Sequence, residues 1–225
     1  MSGFIDRENQ IFEILQAFKD HDLQFIVVGG YAVSAYQHRF SVDADLVIRE
    51  EDLHDFQDVL ENHGFEAVED RELDVYGGRY IAYEKDLELP VTIDLLVNSL
   101  QCRQTNATWN YQYFQKHSEN KNIDGTERSI RVAIPERELL MAVKLHSGRL
   151  TDARDIVALA DQFDTEKLDQ HIDRGNPDKL NQVLTNIQET ITDPNFQDSF
   201  KGVFQQGTLP EENIKKITDF IQKEK

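Results

Sequence analysis

This chain has one cysteine, Cys102, one tryptophan, two methionines and five prolines among 225 residues. A single thiol excludes an internal disulfide and a zinc site built on cysteines. No apolar run approaches the roughly 20 residues that span a bilayer, so no membrane partner is expected. The stretch from Ser2 to Glu8 has no basic region leading into an apolar one, which is not the pattern of a signal peptide. These features together point to a cytoplasmic protein. Positive charge is scarce as well: 24 basic residues stand against 42 acidic ones, for a net charge of −18. Broad, non-specific binding to nucleic acid depends on neutralising phosphates and is disfavoured on such a surface. The acidic surplus has two readings, adaptation to a salty (halophilic) cell interior or an ordinary acidic protein that avoids polyanions.

The chain is nevertheless long enough for a sizeable core, as one domain or one domain with a helical appendage. Apolar side chains at Ile11, Phe12, Ile14, Leu15 and Phe18 have helical spacing, which predicts a helix over 6–20 with Asp6 as its cap. A buried strand is expected at 24–28 and further strands at 44–48, 65–68, 79–83, 91–97 and 130–134, with short helices at 31–37 and 53–60. Residues 105–117 read as helical, and Pro135 as the first turn of a helix. Everything beyond is helical, with breaks at Asn176-Pro177, Asp193-Pro194 and Gly207 to Pro210. Strands mixed with helices, then helices alone, describe an α/β (or α+β) domain over 1–135 and a helical region over 136–225. From Arg128 to Arg154, six basic residues face three acidic ones, a local positive zone in an acidic chain. Either the six line solvated helix faces, or they meet phosphates.

The informative stretch is 26–48. An apolar run leads into Gly29-Gly30, a short helix follows, and Asp43 and Asp45 open the next apolar run. Alternation along a strand puts Asp43 and Asp45 on one face and Ala44 and Leu46 on the other, toward the core. Two neighbouring carboxylates repel unless a cation lies between them, and hard divalent ions prefer such oxygens. A glycine turn able to approach phosphates, ahead of a cation-binding pair, is a layout suited to nucleoside triphosphates. A third carboxylate, Asp94, sits within the apolar run Val91 to Val97. A charge there is costly unless it is paired or bound to a metal. Either Asp94 lies on an edge strand facing water, or it joins Asp43 and Asp45 from a neighbouring strand. In the second case the three could hold two metal ions roughly 3.5–4 Å apart, with Asp94 in reach of an attacking hydroxyl as general base.

Gly29-Gly30-Tyr31-Ala32-Val33, followed by Arg39-Phe40-Ser41-Val42-Asp43-Ala44-Asp45-Leu46, resembles the signature of the DNA polymerase β-type nucleotidyltransferases. The chain is most similar to the branch of AbiEii toxins and small bacterial and archaeal nucleotidyltransferases. Asp94 in Thr92-Ile93-Asp94-Leu95-Leu96 matches the later aspartate of that pattern. Pro135-Glu136-Arg137-Glu138-Leu139, Lys144 and the run from Gly148 to Ile156 match its helical part. Three departures stand out: Ala44 replaces a larger aliphatic residue, Gly30 replaces a serine, and with Thr151 and Ala153 a lysine seen in some relatives is absent. The resemblance implies a minimal mixed sheet flanked by helices. It implies transfer of a nucleoside monophosphate from a triphosphate to RNA such as tRNA, or to a protein, with an antitoxin as partner. A small-molecule acceptor such as an antibiotic also occurs in the wider superfamily, and a non-catalytic binding module on the same fold is the alternative to an enzyme. Magnesium, in two ions, or manganese would sit on Asp43, Asp45 and Asp94.

Each remaining candidate has two readings. Gly29 and Gly30 let a phosphate approach the backbone or form an ordinary turn. Ser34 supplies the missing hydroxyl or packs its helix. Arg39 touches phosphate or orients Asp43, or is a surface arginine. Lys144 neutralises phosphate charge or is a buried-stem lysine reaching for water. Arg149 and Asp155 bind nucleotide or bridge two helices. His38, His146 and the aromatic cluster Trp109, Tyr111, Tyr113 and Phe114 read as packing or surface residues rather than ligands.

Overall fold

The structure is a computed structural model and describes residues 2–73, 75–204 and 209–224. Its elements in chain order are α1 (Ser2–Asp20), β1 (Ile26–Val28), α2 (Gly29–Ser34), β2 (Asp43–Ile48), α3 (Leu53–Asn62), β3 (Glu66–Glu72), β4 (Arg79–Lys85), β5 (Val91–Val97), β6 (Ser99–Cys102), β7 (Ala107–Asn110), α4 (Tyr111–Lys116), β8 (Ser118–Asp124), β9 (Ser129–Pro135), α5 (Arg137–Ser147), α6 (Leu150–Leu159), α7 (Thr165–Ile172), α8 (Pro177–Thr192), α9 (Phe196–Phe204) and α10 (Glu211–Glu224). They divide into two compact units, 1–100 with 109–135, and 101–108 with 136–225.

The first unit is built on a seven-stranded mixed sheet of order β3-β4-β5-β2-β1-β9-β8. β2 runs parallel to β5 and antiparallel to β1, and β1 runs parallel to β9. Helix α1 supplies the apolar face foreseen from its spacing: Ile11, Phe12, Ile14, Leu15 and Phe18 are all buried. Phe18 packs against Phe25 and Phe56, which draws α1 and α3 onto one side of the sheet. On β2, Ala44 and Leu46 are fully buried toward the core, so Asp43 and Asp45 are left on the other face. Strand β5 lies inside the sheet, between β4 and β2, not at an edge.

The second unit is helical apart from residues 101–108. Helices α5 and α6 are buried on most sides, through Leu139, Leu140, Met141, Leu145, Ile156, Val157 and Leu159. Asn176 caps α8 by accepting the Lys179 N–H at 2.9 Å, and Pro177 takes the first helical position, where no N–H is needed. The break at Asp193-Pro194 separates α8 from α9. The break expected over Gly207 to Pro210 falls partly on residues 205–208, outside the described residues.

Three local expectations are corrected. Residues 105–117 are not one helix: β7 occupies Ala107–Asn110 and only Tyr111–Lys116 is helical. Trp109 and Tyr111 fall on either side of that change, and apolar spacing alone does not separate a short strand from a short helix. Asp6 does not cap α1, because the helix already runs through it from Ser2. Pro135 ends β9 rather than opening a helix; α5 begins at Arg137.

Candidate functional site

The register of β2 and β5 brings the carboxylates together. Across this parallel pair Asp45 stands opposite Asp94, and Asp43 opposite Thr92. Residues directly opposite share a face, so all three aspartates rise from one side of the sheet near one end of the two strands. Asp94 is only 9% exposed, and its Oδ1 is buried without a hydrogen-bond partner among the described residues. Burial raises the Asp94 carboxyl to about 6, the Tyr80 hydroxyl opposes this by hydrogen bonding to it, and the charge of Asp43 adds to the rise. Tyr80 comes from β4, where it is two residues from Ala82, the register partner of Asp94. Burial, together with the Asp94 charge, holds the Tyr80 hydroxyl protonated well above its ordinary range. Sequence reading missed Tyr80. Its signal is a tyrosine in the strand preceding the one that carries the third aspartate, and it has meaning only once the strands are paired.

Gly29 and Gly30 lie against this cluster. Gly29 has φ +63, and a Cβ there would collide with Asp45 Oδ2. A Cβ on Gly30 would collide with Ser41 Oγ and come within 3.1 Å of Arg39 Nη2. The glycine pair is therefore required by the close approach of these side chains as well as by backbone shape. Ser41, a second residue missed from sequence, donates its hydroxyl to Asp43 Oδ1 at 3.3 Å. Ser34 is buried, and its Oγ donates to the Arg39 carbonyl at 3.2 Å and accepts the Arg39 N–H at 3.4 Å. Arg39 Nε donates to the Phe40 carbonyl at 3.1 Å. Ser34 thus secures the turn that delivers Arg39. His38 is engaged with the Asp124 carbonyl at 3.0 Å. Trp109, Tyr111 and Phe114 are core residues.

Lys144 and Arg149 belong to the second unit. Lys144 is 4% exposed, and its Nζ lies 3.0 Å from Asp152 and 2.8 Å from Asp155. Burial alone would lower its pKa, but Asp155 and Asp152 outweigh burial and raise it. Burial likewise works against the Asp152 charge, yet Lys144 and Arg149 hold that carboxyl at about 2. The Arg149 side chain bonds Asp152 through Nε at 2.8 Å, and the Asp152 carboxylate also accepts the Arg149 backbone N–H at 3.1 Å, closing the first turn of α6. Asp155 is a helix bridge from α6 to α5. On the same helix as Lys144, His146 is wholly buried between Thr105 Oγ1 at 2.8 Å and the Ile172 carbonyl at 2.9 Å.

The fold is that of nucleotidyltransferases. A protein from H. pylori provisionally described as a nucleotidyltransferase is similar over 100% of this chain and 95% of its own, at 14% identity and a TM-score of 0.51. The antibiotic-resistance factor ANT(2'')-Ia is similar over 75% of this chain and 90% of its own, at 17% identity and a TM-score of 0.52. The profile of the nucleotidyl transferase AbiEii toxin family, type IV TA system, matches residues 13–221, and the chain belongs to this family. No curated protein matches the chain in sequence. Among the described residues, no helix is long and apolar enough to cross a membrane.

Proposed function

We propose that this chain is a metal-dependent nucleotidyltransferase, moving a nucleoside monophosphate from a nucleoside triphosphate to an acceptor hydroxyl, and that it acts as the toxin partnered by an antitoxin. The observation that carries the reading is the Asp45–Asp94 register pair, with a buried Asp94 oxygen that has no hydrogen-bond partner among the described residues. A buried carboxylate oxygen of that kind is costly unless a cation or a proton donor meets it. Three hard oxygen donors on one face fit magnesium or manganese. When bound, such an ion offsets phosphate charge and lowers the pKa of a hydroxyl it contacts. Asp43, Asp45 and Asp94 would hold it.

The remaining chemistry falls to the chain's own groups. The bare backbone at Gly29 and Gly30 admits phosphate oxygens beside the carboxylates, and Arg39, steadied by Ser34, adds positive charge there. The acceptor oxygen attacks the α-phosphorus, the bond to the pyrophosphate oxygen breaks, and pyrophosphate leaves. Asp94, raised toward neutrality, takes the hydroxyl proton. Tyr80 fixes the carboxyl in the rotamer this requires. Arg149, 65% exposed along its side chain although paired with Asp152, is the second unit's candidate for nucleotide contact. Lys144, which sequence reading offered as another, is assigned instead to holding α5 and α6.

We take the acceptor to be RNA such as tRNA, or a protein hydroxyl, a reading that the toxin-family membership supports. A small-molecule acceptor is the second reading. It is favoured by the shared fold with ANT(2'')-Ia, which has been seen in complex with adenylyl-2''-tobramycin at 17% identity and a TM-score of 0.50, over 72% of this chain and 92% of that one. Incubation with each labelled triphosphate, magnesium, and total RNA and protein, at low and high salt, tests the reading. Label in one acceptor fraction, lost with Asp43→Asn plus Asp45→Asn, supports transfer. Free nucleotide products without a labelled acceptor would make the chain a hydrolase, and no turnover at all a binding module.

A further inference from the structure

On the side of the sheet opposite Asp94, α1 and the β4–β5 connection, with Arg128, line a half-open pocket of about 490 Å³, a size that admits a small molecule. The side is set by register. Lys85 pairs with Val91, which is one residue from Thr92 and therefore on the other face from Thr92 and Asp94. Lys85 Nζ accordingly donates to Gln10 Oε1 of α1, at 2.7 Å.

Arg7, in the second turn of α1, lines this cavity and is 9% exposed. Among the described residues its buried Nε has no hydrogen-bond partner, and no carboxylate lies within ion-pair distance of the guanidinium. The Phe4 ring, 6.0 Å from Cζ, is its near neighbour. The adjacent carboxylate, Glu8, is occupied by the Thr126 N–H at 2.6 Å. A guanidinium stays charged at any ordinary pH, so burying it unpaired is a standing cost that an anion would remove. Lys85 and Arg128 also line the cavity, against Asp6 and Glu88. These five side chains sum to one positive charge in a chain of −18. Leu87 and Leu89 supply an apolar wall.

We propose that this cavity binds a compact ligand through an oxyanion, phosphate or carboxylate, which Arg7 receives in two parallel hydrogen bonds while Lys85 supplies a second charge and the leucines cover the ligand body. The site shares no lining residue with the three-aspartate cluster, so it stands or falls apart from the transfer reaction.

Phenylglyoxal labelling of the full chain, with peptide mass mapping, in titrations of inorganic phosphate and of succinate tests this. Saturable protection of Arg7, with a midpoint of about 1 mM or tighter, is expected from one of the two anions, and which one protects decides between phosphate and carboxylate. By calorimetry Arg7→Gln, checked for folding by circular dichroism, should lose at least tenfold in affinity for that anion. Lys85→Gln, on the wall rather than in the helix interior, should also weaken it. Absence of protection by both anions, or unchanged affinity in Arg7→Gln, overturns the proposal.

Discussion

Gly29 and Asp45 occupy adjoining space so tightly that a methyl group on residue 29 would overlap a carboxylate oxygen of residue 45. Gly29 also has φ +63, where a side chain is strained. Gly29→Ala should therefore displace the Asp45 carboxylate and destabilise the fold by about 1–3 kcal/mol. Denaturant unfolding measures the second effect. Labelled-nucleotide transfer measures the first, and a variant as active as the unmodified protein would contradict the assigned place of Asp45.

At Asp94 the fold carries the cost of a buried carboxyl. This carboxyl is raised to about 6, chiefly by burial, so the folded state disfavours the charge, and this term weakens the fold as pH rises from about 4 toward 7. Without divalent ions, Asp94→Asn should raise Tm at neutral pH by a few degrees. Adding magnesium or manganese should raise Tm of the unmodified protein and leave that of Asp94→Asn nearly unchanged. Tyr80→Phe should keep the metal response but lose about tenfold in transfer rate, the worth of one positioning hydrogen bond. An equal metal response in Asp94→Asn would remove Asp94 from the ion's ligands.

The Lys144–Asp152–Asp155 cluster is a buried ion triad, and removing its cation leaves two carboxylates facing each other. Lys144→Met should cost about 3–5 kcal/mol in urea unfolding. Adding Asp152→Asn and Asp155→Asn to Lys144→Met should recover part of that loss, since the two buried carboxylate charges that faced Lys144 are then gone. Failure to recover any of it would mean that packing rather than charge sets the cost.

His146 makes stability fall with acid. Burial lowers its pKa from 6.5 to about 4, while the Ile172 carbonyl partly opposes the drop by accepting its N–H. On acidification the unfolded chain takes up the proton first, so stability is full above pH 6.5 and is lost as pH falls toward 4. The loss amounts to at most about 3 kcal/mol. Asp152 adds a further loss in the same direction at lower pH, below its unfolded value of 3.8 and toward 2. Thermal melts of His146→Gln between pH 7 and 4 should show a flatter slope than the unmodified chain. An identical slope would exclude His146 as the titrating group.

Much of this was open to reading before any coordinates. Strand alternation is a local property, so the common face of Asp43 and Asp45 and the burial of Ala44 and Leu46 follow from spacing two residues apart. An aspartate inside Val91 to Val97 announces a burial problem by its composition alone. The strands cease at Pro135, and residues 101–108 cluster with the helices that follow, which no local pattern announces.

What remained to the tertiary structure is everything that depends on pairing between segments distant in the chain. Opposition of Asp45 to Asp94, the Tyr80 hydroxyl on that carboxyl, and the crowding of Gly30 by Ser41 and Arg39 arise from strand register and loop return. Lys144 illustrates the converse: its helix and spacing were legible, but its two carboxylate partners appear only when α6 folds back along α5. Local periodicity reports which face of a segment is apolar; it carries no record of which other segment that face, or its polar opposite, will meet.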